Sequence, residues 1–368
     1  MHINDFIEKY KDFDYFQKAL CEIDILIYSQ LSYISFDNVS FKDNEAYTLD
    51  EVSKMISIDT RKKHISVQRK AFYLLQKIAG TKRYRNVLIS NYKHVNGDDV
   101  QFGAATFILP NKDVVVSFEG TDNSIVGWKE DAYFSFQYPT PSQKEAGKYL
   151  NRILKKTSSP VTVCGHSKGG NLALTASLGT GLLKRHKIKA IYSFDGPGLR
   201  KEEFSSFNYK NISKKLINIV PSQSMIGVLL YQENIDVIAS SASGIYQHAV
   251  DSWIVDDDKL LRTDRSKISI QFDSVVNAWI EKYDYDHRKQ LIDSTFELFE
   301  KSQIKMLSDI TENKLKSLCV MIKTSNSIDM ETKLFVFQCL KTLAGNFGNS
   351  IINDEINEFK KKLELFNK

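Results

Sequence analysis

The hydroxyl of Ser167, within Gly-His-Ser-Lys-Gly at residues 165–169, is the group of this sequence best suited to act as a nucleophile. An apolar, β-branched run precedes it, and an alanine- and leucine-rich run with helical spacing follows. This order predicts a strand, a tight turn and a helix, with the serine at the apex of the turn. Gly165 and Gly169 would let the strand and the helix approach closely. The first N–H groups of the helix would then favour negative charge that develops beside the serine.

A serine hydroxyl is a poor nucleophile at neutral pH, so this chemistry needs a base, usually a histidine held by a carboxylate. In hydrolases with a doubly wound sheet the order along the chain is serine, acid, histidine. Of the seven histidines, His248 and His287 follow the candidate acids. His287 lies in a charged stretch with helical spacing, whereas His248 follows the last predicted strand of the middle region. We therefore predict that His248 is the base; the alternative is a histidine of a surface loop.

The acid is predicted at Asp195, which directly follows the predicted strand 188–194 and precedes Gly-Pro-Gly. A carboxylate at the end of a strand is well placed to reach an imidazole across the edge of a sheet. The alternative is an aspartate that only stabilises a turn or caps a helix, which is common before Gly-Pro. Asp236, Asp251 and Asp256 remain as alternative acids, each nearer to His248 in sequence.

An acyl-transfer site also needs N–H donors for the oxyanion of its tetrahedral intermediate. The backbone N–H of Lys168, directly after the serine, is one expected donor. The second is expected from the turn that ends an earlier strand, where Phe-Glu-Gly-Thr-Asp occupies residues 118–122. Thr121 could supply both its N–H and its hydroxyl there, because Gly120 allows close approach of the backbone. The alternative for this segment is a plain β-turn.

The middle of the chain has the pattern of elements that such a site requires. Strand and helix patterns alternate from about residue 86 to residue 255, which is typical of a largely parallel sheet covered by helices on both faces. The predicted fold class is α/β, an α/β-hydrolase fold with a mostly parallel central sheet, N-terminal helices and a C-terminal helical extension. The predicted strands besides the one before Ser167 are 87–89, 104–109, 114–118, 188–194, 215–220 and 235–239.

The regions around this core are predicted to be helical. The expected organisation is an N-terminal helical segment at 1–80, an α/β-hydrolase core at 81–257 and a C-terminal helical region at 258–368. The C-terminal region carries apolar residues at helical spacing and predicts four or five helices, either as a separate bundle or as a cap on the sheet. Residues 123–136 are rich in apolar and aromatic side chains. They are predicted either to form a short apolar lid for acyl chains or to pack at the edge of the sheet.

The composition limits the function classes. The chain has 368 residues, 42% hydrophobic and 26% charged, as in an ordinary globular protein. The net charge of +5 is small and the basic residues alternate with acidic ones, so no nucleic-acid partner is expected, while peripheral membrane contact stays open. Four widely spaced cysteines indicate no metal or redox site, and no cofactor is required. Without a signal peptide or a membrane-spanning stretch, a cytoplasmic location is expected.

Several blocks of the sequence, in this order, resemble a known family. Ser-Phe-Glu-Gly-Thr-Asp at 117–122, Gly-Trp at 127–128 and Gly-His-Ser-Lys-Gly-Gly-Asn-Leu-Ala at 165–173 are similar to the class 3 lipases. The resemblance is closer to the bacterial Mbeg-like α/β-hydrolases, a former domain of unknown function. That likeness also includes Phe-Asp-Gly-Pro-Gly at 194–198 and the segment 240–253, and it extends from about residue 25 to residue 255.

The resemblance implies an α/β-hydrolase fold and hydrolysis of acyl or lipid esters, with Ser167 as nucleophile, His248 as base and Thr121 in the oxyanion hole. It also favours Asp195 as the acid. Two departures stand out: Glu119 replaces an arginine usual in class 3 lipases, and their usual aspartate is missing around residues 222–224. Two alternatives therefore remain beside the serine esterase. One is a catalytically weak or inactive scaffold that binds an acyl ligand or a partner protein, and the other is a hydrolase of thioesters or amides.

Overall fold

The computed structural model describes residues 1–41, 45–58, 66–97, 100–121, 125–304 and 312–343. Eight described strands form one sheet, in which each strand pairs with the next one along the chain. They are β1 (Ala46–Thr48), β2 (Leu88–Asn96), β3 (Gln101–Ile108), β4 (Val114–Phe118), β5 (Val161–His166), β6 (Ile188–Phe194), β7 (Leu216–Pro221) and β8 (Ile235–Ile238). A separate hairpin consists of β9 (Val255–Asp256) and β10 (Lys259–Leu260).

The described helices surround this sheet. Those before β5 are α1 (Ile3–Tyr10), α2 (Glu22–Leu31), α3 (Leu49–Met55), α4 (Ser66–Ile78), α5 (Ile125–Tyr133) and α6 (Pro141–Lys156). Those after β5 are α7 (Lys168–Leu178), α8 (Leu182–Arg185), α9 (Lys201–Phe204), α10 (Phe207–Ile212), α11 (Lys267–Lys282), α12 (Tyr285–Lys301), α13 (Glu312–Thr324) and α14 (Met330–Leu343). None of these helices is long and apolar enough to cross a membrane.

The predicted fold class is confirmed. Strands β4 to β8 run parallel, whereas β1 to β4 pair antiparallel at the N-terminal edge of the sheet. Because parallel crossovers are right-handed and the strand order is sequential, the crossover helices α6, α7 and α10 lie on one face. The N-terminal helices cover the other face, so both faces of the sheet are buried. Residues of one strand alternate accordingly: Val115 packs with the N-terminal helices, and Val114 and Val116 with the crossover helices.

The strands of the structure differ from the sequence prediction at the antiparallel edge. Strand β2 continues past Ile89 to Asn96, and β1 and the β9–β10 hairpin were not predicted. The polar residues Lys93 and His94 in β2 hide its strand pattern, since this edge is only half buried. The other predicted strands match the structure to within a few residues. The domain bounds 1–80, 81–257 and 258–368 stay a prediction.

The C-terminal helices form their own apolar clusters, and these clusters include residues of the core. Ile125 of α5 is buried in the cluster of α12, α13 and α14, and Phe134 is buried together with Val276 and Ile280 of α11. This packing places the C-terminal helices against the segment between β4 and β5. Of the two predicted arrangements, the structure therefore favours a cap on the core over a separate bundle.

Candidate active site

The predicted strand, turn and helix around Ser167 are present: β5 ends at His166 and α7 begins at Lys168. Ser167 has φ 58° and ψ −131°, a conformation that costs a non-glycine residue about 1–3 kcal/mol and is typical of functional sites. A Cβ atom at Gly165 would lie 2.2 Å from the backbone of Gly169. A Cβ atom at Gly169 would lie 2.2 Å from the carbonyl oxygen of Phe118. Both glycines are therefore required by the close packing of β4, β5 and α7.

The structure brings His248 and Asp195 together. His248 Nδ1 lies 2.6 Å from Asp195 Oδ2, and the carboxylate is 1% exposed. The other carboxylate oxygen accepts hydrogen bonds from the hydroxyl of Ser224 and, at 3.0 Å, from the backbone N–H of Gly227. A carboxylate held in this way fixes the tautomer of the imidazole with its proton on Nδ1, which leaves Nε2 to accept a proton.

Ser167 and His248 line one cavity, together with Thr121 and Asp131. No hydrogen bond joins the Ser167 hydroxyl to the His248 ring in the part of the chain that the structure describes. In the absence of substrate such bonds are often long and become shorter in the complex. The three side chains thus stand as a hydrogen-bonded His248–Asp195 pair beside a serine in the same cavity.

The alternative acids face other partners. Asp236 forms an ion pair with Arg262 at 2.9 Å, and Asp251 forms one with Lys70 at 2.9 Å. Asp256 is exposed on β9. Of the four candidate acids, Asp195 is the one that contacts the ring of His248.

His287, the alternative base, is exposed in the first turn of α12, and its Nδ1 lies 2.8 Å from Asp284 Oδ1. It does not line the cavity that contains Ser167. This contact is local to the helix terminus, so it gives His287 no connection to the serine.

One predicted oxyanion donor directly follows the serine, and the other lines the same cavity. Lys168 is the first residue of α7, and N–H groups in the first turn have no partner inside the helix. Thr121 lines the cavity, but its hydroxyl donates to Asp131 Oδ2 at 2.8 Å. This corrects the expectation for the threonine hydroxyl, because its single proton is already used. The backbone N–H of Thr121 remains the expected donor.

Asp131 is a residue of this site that the sequence analysis missed. Burial raises the pKa of its carboxyl to about 6, although the Lys168 ammonium and the Thr121 hydroxyl act in the opposite direction. Its second oxygen, Oδ1, is buried without a hydrogen-bond partner among the described residues. The Lys168 ammonium itself pairs with Glu130 and donates to the carbonyl of Gln101 at 2.8 Å. The residue after the nucleophile is thus fixed at both its backbone and its side chain.

Glu119 does not place a negative charge in the cavity. Its side chain is buried against Gly103 of β3, where a Cβ atom would lie 2.0 Å from Glu119 Oε2. Glu119 is not one of the residues that line the cavity with Ser167. The glutamate that departs from the class 3 pattern therefore packs against the sheet and not into the cavity.

His166 supports the position of His248. It is buried, and its Nε2 lies 3.0 Å from the backbone carbonyl of His248 while its Nδ1 lies 2.9 Å from the hydroxyl of Tyr33. Burial and the neighbouring His248 lower the pKa of His166 well below its ordinary value, so the ring is neutral. A neutral ring then donates from Nε2 to the carbonyl and accepts the tyrosine proton at Nδ1.

The segment 123–136, predicted as a lid or as edge packing, forms α5 and the turn after it. Residues 122–124 lie outside the described residues, and so does the side chain at 126. Trp128 lines the cavity, whereas Ile125, Phe134 and Phe136 are buried against other parts of the chain. The segment therefore lies beneath the C-terminal helices and contributes one aromatic side chain to the cavity wall.

Comparison with known proteins gives a family and a general likeness to lipases. The family model described as Mbeg1-like matches residues 78–297, which is more than half of the chain. No curated protein matches the chain. Among solved structures, M37 lipase is 18% identical over 55% of this chain and 68% of its own, with a TM-score of 0.34. The Rhizomucor miehei lipase–propeptide complex is 19% identical over 42% of this chain and 57% of its own, with a TM-score of 0.32. A mutant form of MDLA from Penicillium cyclopium is 13% identical over 67% of this chain and 87% of its own, with a TM-score of 0.38.

Proposed function

We propose that this chain, which belongs to the Mbeg1-like family, is a serine hydrolase that cleaves carboxylic esters through an acyl-enzyme. The observation that carries the proposal is the geometry around Ser167. The serine stands at a strained turn with φ 58°, in the same cavity as His248, whose Nδ1 is 2.6 Å from the buried carboxylate of Asp195. Strain at a serine between a strand and a helix is expected where the hydroxyl must be exposed to a substrate.

In the proposed reaction, His248 Nε2 takes the proton of the Ser167 hydroxyl as its oxygen attacks the ester carbonyl. Asp195 stabilises the imidazolium that forms, and the backbone N–H groups of Lys168 and Thr121 stabilise the oxyanion. Collapse of the tetrahedral intermediate breaks the bond to the alkoxy oxygen, and His248 returns the proton to the leaving alcohol. Water then attacks the acyl-enzyme by the same route and releases the carboxylic acid.

Hydrolysis of a panel of nitrophenyl esters, acyl-thioesters and amides tests the proposal. The wild type should cleave esters, and Ser167→Ala should reduce kcat to the background rate of the assay. Ser205→Ala is the matched control, because Ser205 is exposed after α9 and away from the cavity, and this variant should keep full activity. Faster cleavage of thioesters than of oxygen esters would favour the thioesterase alternative. Folded wild-type protein that cleaves none of the three would favour the binding scaffold.

A further inference from the structure

A cavity of about 260 Å³ adjoins the candidate active site, and the C-terminal helices supply about half of the residues in its wall. The core contributes Ser167 and His248 on one side. Helices α11, α12 and α14 contribute aliphatic and aromatic side chains, among them Val276, Leu291 and Val336. The reacting groups of the core thus face an apolar space that the core and the C-terminal helices line together.

Hydrogen bonds fix two of these helices, α11 and α12, to the core. The hydroxyl of Ser269 in α11 donates to the carbonyl of Ser224 at 2.6 Å, and Ser224 itself donates to Asp195. Arg288 of α12 donates to the carbonyl of Ser135, which follows α5. Helix α11 is therefore tied to the same loop that holds the acid of the candidate site.

The cavity offers no partner for a charged ligand beyond its reacting end. Apart from His248 and Asp131, none of the described residues that line it carries an ionisable side chain of the Asp, Glu, Lys, Arg or His type. A phosphate, carboxylate or ammonium group there would lose its hydration without gaining an ion pair. The ligand that fits this space is uncharged.

The polar atoms of the helical wall are already paired. The hydroxyl of Thr295 donates to the carbonyl of Leu291 at 2.7 Å. The hydroxyl of Thr332 donates to Asp329 at 2.7 Å and accepts the indole N–H of Trp279 at 3.2 Å. The wall therefore presents mainly carbon atoms to a ligand, which favours a hydrocarbon chain.

The volume sets the length of that chain. A methylene group takes about the space of one water molecule in the liquid, about 30 Å³, so a cavity of about 260 Å³ holds about nine methylene groups. We propose that α11, α12 and α14 form a binding site for one unbranched acyl chain of about eight to ten carbons, with its ester carbonyl at Ser167. This inference rests on the proposed function, because it assigns the acyl part of the same substrate.

A series of 4-nitrophenyl esters from acetyl to palmitoyl tests the inference on the full chain. Burial of each methylene should raise kcat/KM by up to about fourfold as the chain grows to octanoyl or decanoyl. Palmitoyl should then be cleaved more slowly than decanoyl, because the cavity is full. Equal kcat/KM across the series, or an optimum at acetyl or at palmitoyl, would overturn the inference.

Two adjacent valines of α11 give a matched pair of variants. Val276 is 4% exposed and lines the cavity, whereas Val275 is 40% exposed and does not. Val276→Phe should lower kcat/KM for decanoyl at least about tenfold relative to butanoyl, since the added ring occupies the space of the acyl chain. Val275→Phe should keep the wild-type profile. The same shift in both variants, or in neither, would contradict the proposed site.

A smaller side chain tests the same position without overpacking. Val276→Ala enlarges the cavity, so it should raise the rate for palmitoyl relative to decanoyl, and circular dichroism checks that each variant is folded. An unchanged preference in a folded Val276→Ala protein would count against the site. Failure of the inference differs from failure of the proposed function: if only the inference is wrong, the wild type still cleaves esters through Ser167 but without this length preference.

Discussion

Replacement of Asp131 by asparagine changes the pH dependence of stability by a predictable amount. The carboxyl of Asp131 has its pKa raised to about 6 by burial, compared with about 3.9 in an unfolded chain. The difference is about two units, and each unit corresponds to about 1.4 kcal/mol, which gives about 3 kcal/mol in total. Asparagine has nearly the same shape, and its carbonyl oxygen can still accept the hydrogen bond of the Thr121 hydroxyl.

The sign follows from proton binding. Since the native state binds this proton more tightly than the unfolded chain does, the protonated carboxyl stabilises the native protein fully below about pH 4. That contribution is lost as the pH rises from about 4 to about 6, where the buried carboxyl ionises. Asp131→Asn has no such titration. Its stability relative to wild type should therefore improve by about 2 kcal/mol between about pH 4 and about pH 7.

Urea denaturation followed by tryptophan fluorescence measures this difference at the two pH values. Asp12→Asn is the control, because Asp12 is exposed and far from the cavity, and its stability relative to wild type should change little between them. If the stability of Asp131→Asn relative to wild type were the same at both pH values, the carboxyl of Asp131 would not carry a raised pKa. The conclusion that burial of Asp131 favours its protonated form would then be wrong.

Three further predictions concern the residues that hold the base. Asp195→Asn should reduce kcat for ester hydrolysis by about 10²- to 10⁴-fold without unfolding the protein, and a near-normal kcat in that variant would point to a different acid. Gly227→Ala should also reduce kcat, because a Cβ atom at this position would lie 2.2 Å from Asp195 Oδ1. Gly147→Ala is the control and should leave kcat unchanged, because a Cβ atom there would meet no other atom within 4 Å. Tyr33→Phe removes the hydroxyl that donates to His166 Nδ1, so it should lower kcat more than KM changes; loss of substrate affinity alone would argue against a role in positioning His248.

The parts of the site that lie next to a strand end could be predicted from the sequence. Ser167 and Asp195 directly follow a strand, and Thr121 lies in the turn that ends β4. Strands that run parallel bring such positions to one edge of the sheet. His248 follows from the order of the chain, since it is the histidine in the loop after the last strand of the sheet. The close approach of Gly165 to Gly169 also follows from the local pattern, because the two residues are near each other in sequence.

Other features depend on contacts that no local pattern contains. Ser224 and Gly227 hold Asp195 from the loop after the next strand, where the aspartate usual in class 3 lipases is missing. A search of that loop for hydroxyl and glycine residues, rather than for a carboxylate, could have found them. Asp131 looks like an ordinary helical residue, and only the fold shows that it is buried beside Thr121.

The position of the C-terminal helices could not be predicted from the sequence either. Apolar spacing identifies a helix and the face that it buries, but not the surface against which that face packs. The apolar side of α11 fits a bundle and a cap equally well, and its contact with Phe134 decides between them. Most of β2 was missed for a related reason, since this strand is half buried and carries charged residues such as Lys93.

The most direct test of the central claim is to identify the residue that reacts with a fluorophosphonate. Such a probe reacts with a serine hydroxyl that an adjacent base has activated. Mass spectrometry of the digested protein should find one adduct, on the peptide that contains Ser167, and labelling should be lost in Ser167→Ala and slowed in His248→Ala. Labelling of a different residue, or an unlabelled Ser167 in a folded protein that cleaves esters, would contradict the account.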